Sequence, residues 1–416
     1  MHACDCSSHG KGSDLLPLEA ALERLLAQAR PVQGTERVSI QEALGRVLAE
    51  PVTSRITMPP WDNSAMDGYA VNTSDIPAEG TILPISQRLP AGVAAEPLTP
   101  GSAARIFTGA PIPAHADAVV IQEVCESAGD SVIINRVPKS GANIRRAGED
   151  TREGQVVVEA GTRLGPQHLG LLASVGVAEL LVFRRLKVAV FSSGDELVMP
   201  GQPLGPGQIY NSNEFTLEGL LAGVGCKLVK LGIVADTFDA TCEALRSAAQ
   251  DADLVMTSGG VSVGEEDHIK PAIERLGRLD LWKIAIRPGK PLAFGHIGDV
   301  PFIGTPGNPV SLFVTYCLFA RPFILKLQGI AGDLTPRAVT AKIDFDWPHP
   351  DRRREFARAR LDLDEQGEAW ITVYPSRSSG VLNSLAWANG LAVLPENTPL
   401  SRGDVVRFLP FSELLT

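Results

Sequence analysis

The period of the hydrophobic positions changes several times along this chain, and each change marks a different kind of structure. Over residues 15–29 leucine and alanine recur at helical spacing and stop before Pro31; residues 39–50 repeat the pattern, so two helices are expected. From 53 to about 154 the pattern shortens to alternating runs broken by many Gly and Pro, which predicts a mostly β unit inserted after the first helices. Residues 155–160 read as a strand and 166–175 as a helix leading back to the starting layer.

From 185 onward strand and helix alternate, with strands at 187–192, 227–234 and 254–258 and helices at 213–222, 238–251 and 269–276. A hairpin over 282–286 and 292–295, a strand at 301–303 and a helix over 309–327 close this unit. Such alternation predicts a parallel sheet with helices on both faces, and ligands on such sheets sit at the carboxyl ends of the strands. Beyond Pro336 the β pattern returns at 338–345, 354–363, 369–374, 391–394 and 404–408, predicting a small C-terminal β-barrel.

A chain of 416 residues exceeds one ordinary core, and about two to four domains are expected. The 40 glycines and 31 prolines fall at turns throughout rather than in one low-complexity block. A net charge of −10 argues against nucleic acid or an anionic membrane surface as partner, so an anionic ligand needs its own cationic pocket. The apolar run SLFVTYCLFA is too short for a membrane span and meets Arg321-Pro322, and no apolar signal-peptide region opens the chain. Six scattered cysteines fit a cytoplasmic protein. Cys4, Cys6 and His9 are soft-metal ligands by type, but no second ligand pair follows at zinc spacing, so the opening is expected to be a disordered polar tail.

The densest chemistry lies in VMTSGGVSVGEEDHIKPAIE, residues 255–274: an apolar strand, a glycine turn, the acids Glu265, Glu266 and Asp267, then a helix. Glycines at such a turn let backbone N–H groups approach an anion. Acids there would repel a bare phosphate, which points to a divalent cation such as Mg²⁺ between them. A tight turn with a dipole-complementing first helical turn gives the same local pattern. Its neighbours favour a site: Ser192-Ser193-Gly194-Asp195-Glu196, Asp236 and Gly304-Thr305-Pro306-Gly307-Asn308-Pro309 follow other strands of the same sheet. Lys283, Arg287 and Lys290 supply cations nearby, and even spacing places Lys283 and Arg287 on one face of an extended strand. In the inserted unit, residues 58–71 carry Asp62, Asn63, Ser64 and Asp67, for which Asx turns and N-caps are an equally good account. The acids and arginines of 143–150 fit local salt bridging.

The motifs DNSAMDGYA, IFTGAPIP, NIRRAGED, SSGDEL, SGGVSVGEEDH, RPGKP and GTPGNPVS stand here in the order seen in the MoeA family. The chain resembles this family of molybdopterin molybdenumtransferases, which includes the E-domain of gephyrin, from about residue 15 to the C-terminus. The resemblance implies insertion of molybdate into adenylylated molybdopterin, with Mg²⁺-dependent release of AMP, by a cytoplasmic homodimer. It also implies dealings with a MogA-type adenylyltransferase and with cofactor-accepting molybdoenzymes. The fold class expected is α/β and β multidomain: a central MogA-like α/β domain with a parallel-rich sheet (186–333), an inserted mostly β domain (53–153), a discontinuous helical and strand linker domain (14–52 plus 154–185), and a small C-terminal β-barrel (334–416), after a tail over 1–13.

Carried over motif by motif, the resemblance implies catalytic roles for Asp67, Asp150, Glu196, Asp236 and Asp267. Glu196, Asp236 and Asp267 are the candidates to hold Mg²⁺. Substrate or molybdate binding is implied for Thr108, Lys283, Arg287, Lys290, Pro306, Pro309, Arg358 and Ser379, with Arg287 standing where some relatives have lysine. The resemblance further implies a cleft formed by the α/β domain of one subunit and the inserted and C-terminal domains of the other. An adenylyltransferase is the rival enzyme, since the α/β unit alone resembles the MogA type, but DNSAMDGYA lies outside that single-domain enzyme. A dimeric scaffold is a third reading, which lacks the long linker and fused domain of gephyrin. A tungstate-specific variant would carry the same residues.

Overall fold

The computed structural model describes residues 15–259, 268–289 and 291–415, and Cys4, Cys6, His9, Glu265, Glu266, Asp267 and Lys290 lie outside the described residues. At its centre is a six-stranded sheet in the order Lys227–Val234, Lys187–Ser193, Leu254–Ser258, Val300–Thr305, Pro291–Ile297, Gly277–Lys283. The first four strands are parallel, and Pro291–Ile297 is antiparallel to both of its neighbours. The continuous apolar run at 188–191 explains its burial on both faces. Ala189 and Phe191 meet helices Phe238–Asp251 and Ile269–Leu276 on one side, while Val188 and Val190 meet Ser212–Gly223 and the 309–327 helix on the other. Two of these helices start on side-chain caps: Asn211 Oδ1 accepts from Glu214 N, and Thr237 Oγ1 accepts from Ala240 N.

The 309–327 helix is the spine of the larger core. It runs as Pro309–Thr315, a π-helical stretch Tyr316–Ala320, and Arg321–Leu327, and it passes straight through Arg321-Pro322 over the span expected from the sequence. The π turn interrupts the i→i−4 ladder just where Pro322 lacks a donor, so the proline is tolerated. The helix is 19 residues long and apolar enough to cross a membrane, contrary to the expectation from SLFVTYCLFA, but 94% of its apolar window is buried inside the protein. The first helix, Leu18–Ala27, packs Ala21 and Leu25 into this same core.

The expected helix at 39–50 is absent. The chain forms a strand Thr35–Ser39 paired with Glu179–Phe183, one 3₁₀ turn Ile40–Glu42, and isolated bridges at Val47 and Leu48. Ala43 and Leu48 are buried as the pattern demands, but Gly45 at φ +73° and the pairing with 179–183 override the helical spacing. The inserted region is a six-stranded sheet in the order Ala118–Ile121, Gly68–Val71, Ala103–Ile106, Thr81–Leu89, Ser131–Ile134, Cys125–Ala128. At the C-terminus, strands Arg354–Leu363, Ala369–Val373, Val339–Ile343, Val405–Pro410 and Gly390–Leu394 close on themselves, since the last also pairs with the first. This barrel matches the expected fold class.

The hairpin is longer than expected, with Gly277–Lys283 pairing across to Pro291–Ile297, and it ends at Lys283. Residues Ile286–Arg287 leave the sheet and pair in parallel with Arg354–Glu355 of the barrel. Lys283 and Arg287 therefore do not share a strand face. The expected even spacing fails because the backbone bends between them to join a second sheet.

Candidate functional site

The carboxyl ends of the parallel strands form one built edge. The strand Lys187–Ser193 delivers Ser193 and then turns at Gly194, over which Glu196 folds: a Cβ on Gly194 would stand 2.5 Å from Glu196 Oε2. Glu196 itself is exposed, while Asp236, after the next strand, is half-buried. Ser193 Oγ donates to Asp236 Oδ1 at 3.1 Å, so the two loops are tied together. After Leu254–Ser258, Gly259 takes φ +85° and its N–H donates to Thr305 O at 3.1 Å. A Cβ on Gly307 would lie 3.7 Å from Gly259 Cα, so the two glycine turns abut. Asn213 spans them, donating from Nδ2 to Ser258 Oγ at 2.8 Å and to Gly307 O at 2.7 Å. The structure thus brings together Glu196, Asp236 and the Pro306–Pro309 turn, as expected from their places after neighbouring strands.

No group of three His, Cys, Asp or Glu suited to a metal ion occurs among the described residues. Glu196 and Asp236 supply two hard carboxylates on tied loops. That suits Mg²⁺, which keeps several waters and needs only one or two protein carboxylates beside substrate phosphates.

The barrel forms the adjoining wall through Arg358 and Ser379. Arg358 is 2% exposed, donating to Ser384 Oγ at 3.0 Å, Ser376 O at 2.5 Å and Ser378 O at 3.1 Å. Burial lowers its pKa from the ordinary arginine value. It shapes the 376–379 loop, and Ser379 O accepts from Val310 N at 3.0 Å, at the first turn of the spine helix. This wall belongs to the same chain as the sheet edge.

Of the cations, Lys283 is exposed, and its carbonyl accepts from Leu16 N at 2.8 Å. Arg287 is engaged: Nη1 donates to Asp351 Oδ2 at 2.9 Å, and Nε lies 3.9 Å from Glu355 Oε2. It joins the α/β sheet to the barrel rather than standing open to an oxyanion. Hydrogen bonding from Arg353, with help from Arg287, holds the Asp351 carboxyl well below the usual range. Gly289 follows at φ +100°, and a Cβ there would meet Thr315 Oγ1 of the spine at 2.6 Å.

In the inserted sheet, Asp67 and Thr108 form a pair. Asp67 Oδ1 accepts from both the N–H and the hydroxyl of Thr108 at 2.8 Å, and these bonds, the N–H first, lower its pKa. Arg105 braces the pair, donating to Gly68 O at 2.8 Å and lying over the Phe107 ring at 4.6 Å. Asp150 is exposed; its N–H donates to Met58 O at 3.1 Å, and its carboxylate makes no hydrogen bond or ion pair among the described residues. The Arg146 guanidinium pairs with Asp62 at 2.6 Å, 84 residues away in DNSAMDGYA, and not with the acids of its own segment as local salt bridging implies.

Sequence reading missed Asn213, Arg105 and Asp351. Each acts by holding another residue, and such a role leaves no motif of its own. Among the described residues, the buried side-chain atoms without a partner are Asn63 Oδ1, Asn213 Oδ1, Thr257 Oγ1 and Thr315 Oγ1. Each lies in or behind a segment described above, as is common where packing is arranged for binding rather than stability.

Residues 16–176 match the family described as "MoeA N-terminal region (domain I and II)", 189–326 that described as "Probable molybdopterin binding domain", and 340–411 "MoeA C-terminal region (domain IV)". The chain is 40% identical over 403 residues to a molybdopterin molybdenumtransferase of Haemophilus influenzae, covering 96% of this chain and 100% of that protein. A molybdopterin molybdenumtransferase of Nostoc sp. is 39% identical over 373 residues, covering 87% of this chain and 85% of that one. The solved structure of a molybdopterin biosynthesis MoeA protein from Pyrococcus horikoshii superposes with a TM-score of 0.80 at 31% identity, covering 95% of this chain and 100% of that one.

Proposed function

This chain belongs to the MoeA family, and from that premise we propose that it is a molybdopterin molybdenumtransferase, converting adenylylated molybdopterin and molybdate into molybdenum cofactor and AMP. The observation that carries the reading is the sheet edge. There, Glu196 and Asp236 stand on loops joined by the Ser193–Asp236 bond, beside two abutting glycine turns whose lack of side chains leaves room for phosphate oxygens. Glu196 and Asp236, with Asp267, are the residues that would hold Mg²⁺, which when bound offsets phosphate charge. Lys283 and Lys290 bind molybdate and phosphate oxygens, and Arg358 acts with Ser379 by fixing the wall over Pro306 and Pro309. Arg287 acts at one remove, by holding the barrel against the sheet.

Asp67, Thr108 and Asp150 orient the attacking oxygen or the dithiolene end of the substrate. Among the described residues, Asp67 and Thr108 bond to each other and not to the sheet edge of their own chain. In our reading the protein is a cytoplasmic homodimer whose inserted sheet faces the edge of a second copy. It receives its substrate from an adenylyltransferase and passes its product to apo-molybdoenzymes. The division into linker, inserted, α/β and barrel domains is supported by their separate sheets.

Reconstitution tests this. Purified protein with adenylylated molybdopterin, molybdate and Mg²⁺ should activate an apo-molybdoenzyme, and failure to do so would contradict the assignment. Mixing inactive Asp67→Asn and Glu196→Gln proteins should restore activity if sites are shared between copies; no recovery would refute the shared cleft.

A further inference from the structure

We propose that Asn213 is a positioning residue that sets the separation of the two glycine turns at the sheet edge, and so the shape of the phosphate cradle; this rests on the function proposed above. Both amide bonds come from one nitrogen, at 2.8 Å to Ser258 Oγ and 2.7 Å to Gly307 O. The first partner precedes the Gly259 turn and the second lies within the Pro306–Gly307 turn. These segments belong to neighbouring parallel strands, in which Ser258 is paired with Thr305. Beyond those residues the ladder ends, and besides the Gly259 N–H the Asn213 bridge crosses the opening.

The base of the bridge is itself fixed. Asn213 sits in the first turn of Ser212–Gly223, whose cap Asn211 accepts from Ser192 Oγ at 3.3 Å and donates to Glu214 Oε2 at 3.1 Å. The clamp thus starts from the Lys187–Ser193 strand and reaches the loops after two others. Its orientation is forced, because turning the amide over would set Oδ1 against the Gly307 carbonyl.

The same orientation leaves Asn213 Oδ1 buried without a partner. An unpaired buried acceptor is destabilising, so stability alone does not favour asparagine at this position. Its donor end carries the benefit. A residue kept for folding and a residue kept for geometry therefore predict different outcomes when the amide is removed.

The test compares wild type with Asn213→Ala, which removes both bonds, and Asn213→Asp, which keeps the size but cannot donate to Gly307 O. Molybdate-dependent AMP release is measured alongside the thermal unfolding midpoint and the calorimetric Kd for AMP. Both variants should remain folded at the assay temperature, with Asn213→Ala losing less in midpoint than Asn213→Asp, which sets an oxygen against the Gly307 carbonyl; both should bind AMP about tenfold or more weakly and lose roughly 10- to 100-fold in kcat/KM through a raised KM. Wild-type kinetics in either variant, or loss of activity that only follows loss of folded protein, would overturn the proposal. If wild type releases no AMP, the functional assignment fails. The AMP-binding comparison then still decides the clamp: an unchanged Kd refutes it and a weakened one supports it.

Discussion

Replacing Gly289 by alanine should destabilise the protein for two separable reasons. At φ +100° an L-residue is strained by roughly 1–2 kcal/mol. The new methyl would also stand 2.6 Å from Thr315 Oγ1, on a helix whose residues at that point are fully buried, and such overpacking costs about 1–3 kcal/mol. The sum is roughly 2–5 kcal/mol. Thr315 Oγ1 has no hydrogen-bond partner, so Thr315→Ala gives up no bond and should cost only about 1 kcal/mol for the lost methyl. In that background Gly289→Ala should retain only the backbone strain, giving a coupling of about 1–3 kcal/mol between the sites. Urea unfolding of wild type, both single variants and the double variant measures all four corners of the cycle. Equal cost of Gly289→Ala in both backgrounds, or a cost below about 0.5 kcal/mol, would refute the reasoning.

Thr108→Val removes one of the two bonds that depress Asp67 while leaving the backbone N–H, so the Asp67 carboxyl pKa should rise toward its ordinary value in carbon-detected NMR; an unmoved titration would show the hydroxyl contributes nothing. Asp351→Asn should lower stability by about 1–2 kcal/mol at neutral pH. Because the folded pKa is depressed, that stability is present above the ordinary carboxylate pKa and is lost as pH falls through the folded one. The two unfolding midpoints should therefore converge in strong acid, and a gap constant with pH would contradict this. Arg358→Ala should cost about 2–4 kcal/mol and loosen the 376–379 loop, read as faster amide exchange at Val310; unchanged exchange there would detach Arg358 from the site.

Much of this architecture was legible before any coordinates. The strands 227–234 and 254–258 and the helices 238–251 and 269–276 fall where apolar periodicity placed them, because each buries its pattern against a neighbour in the same unit. Where a segment is held by distant pairing, the pattern misled. Residues 39–50 keep their apolar spacing, but the pairing with 179–183 claims the strand before them. Arg287 has the sequence of an anion ligand, but Ile286–Arg287 is drawn into the barrel, and its charge meets Asp351. Motif order located Glu196, Asp236 and the Pro306–Pro309 turn on one edge, since loops that follow parallel strands must emerge on the same side. It could not show that Asn213 bridges them or that Arg358 works through a loop, because both depend on side-chain contacts between segments far apart in sequence.

The central claim is tested most directly by quantifying AMP released from adenylylated molybdopterin by the purified protein with Mg²⁺, with and without molybdate. Release that requires molybdate is the result expected. No release, together with adenylylation of free molybdopterin by ATP, would contradict the account and make the protein an adenylyltransferase.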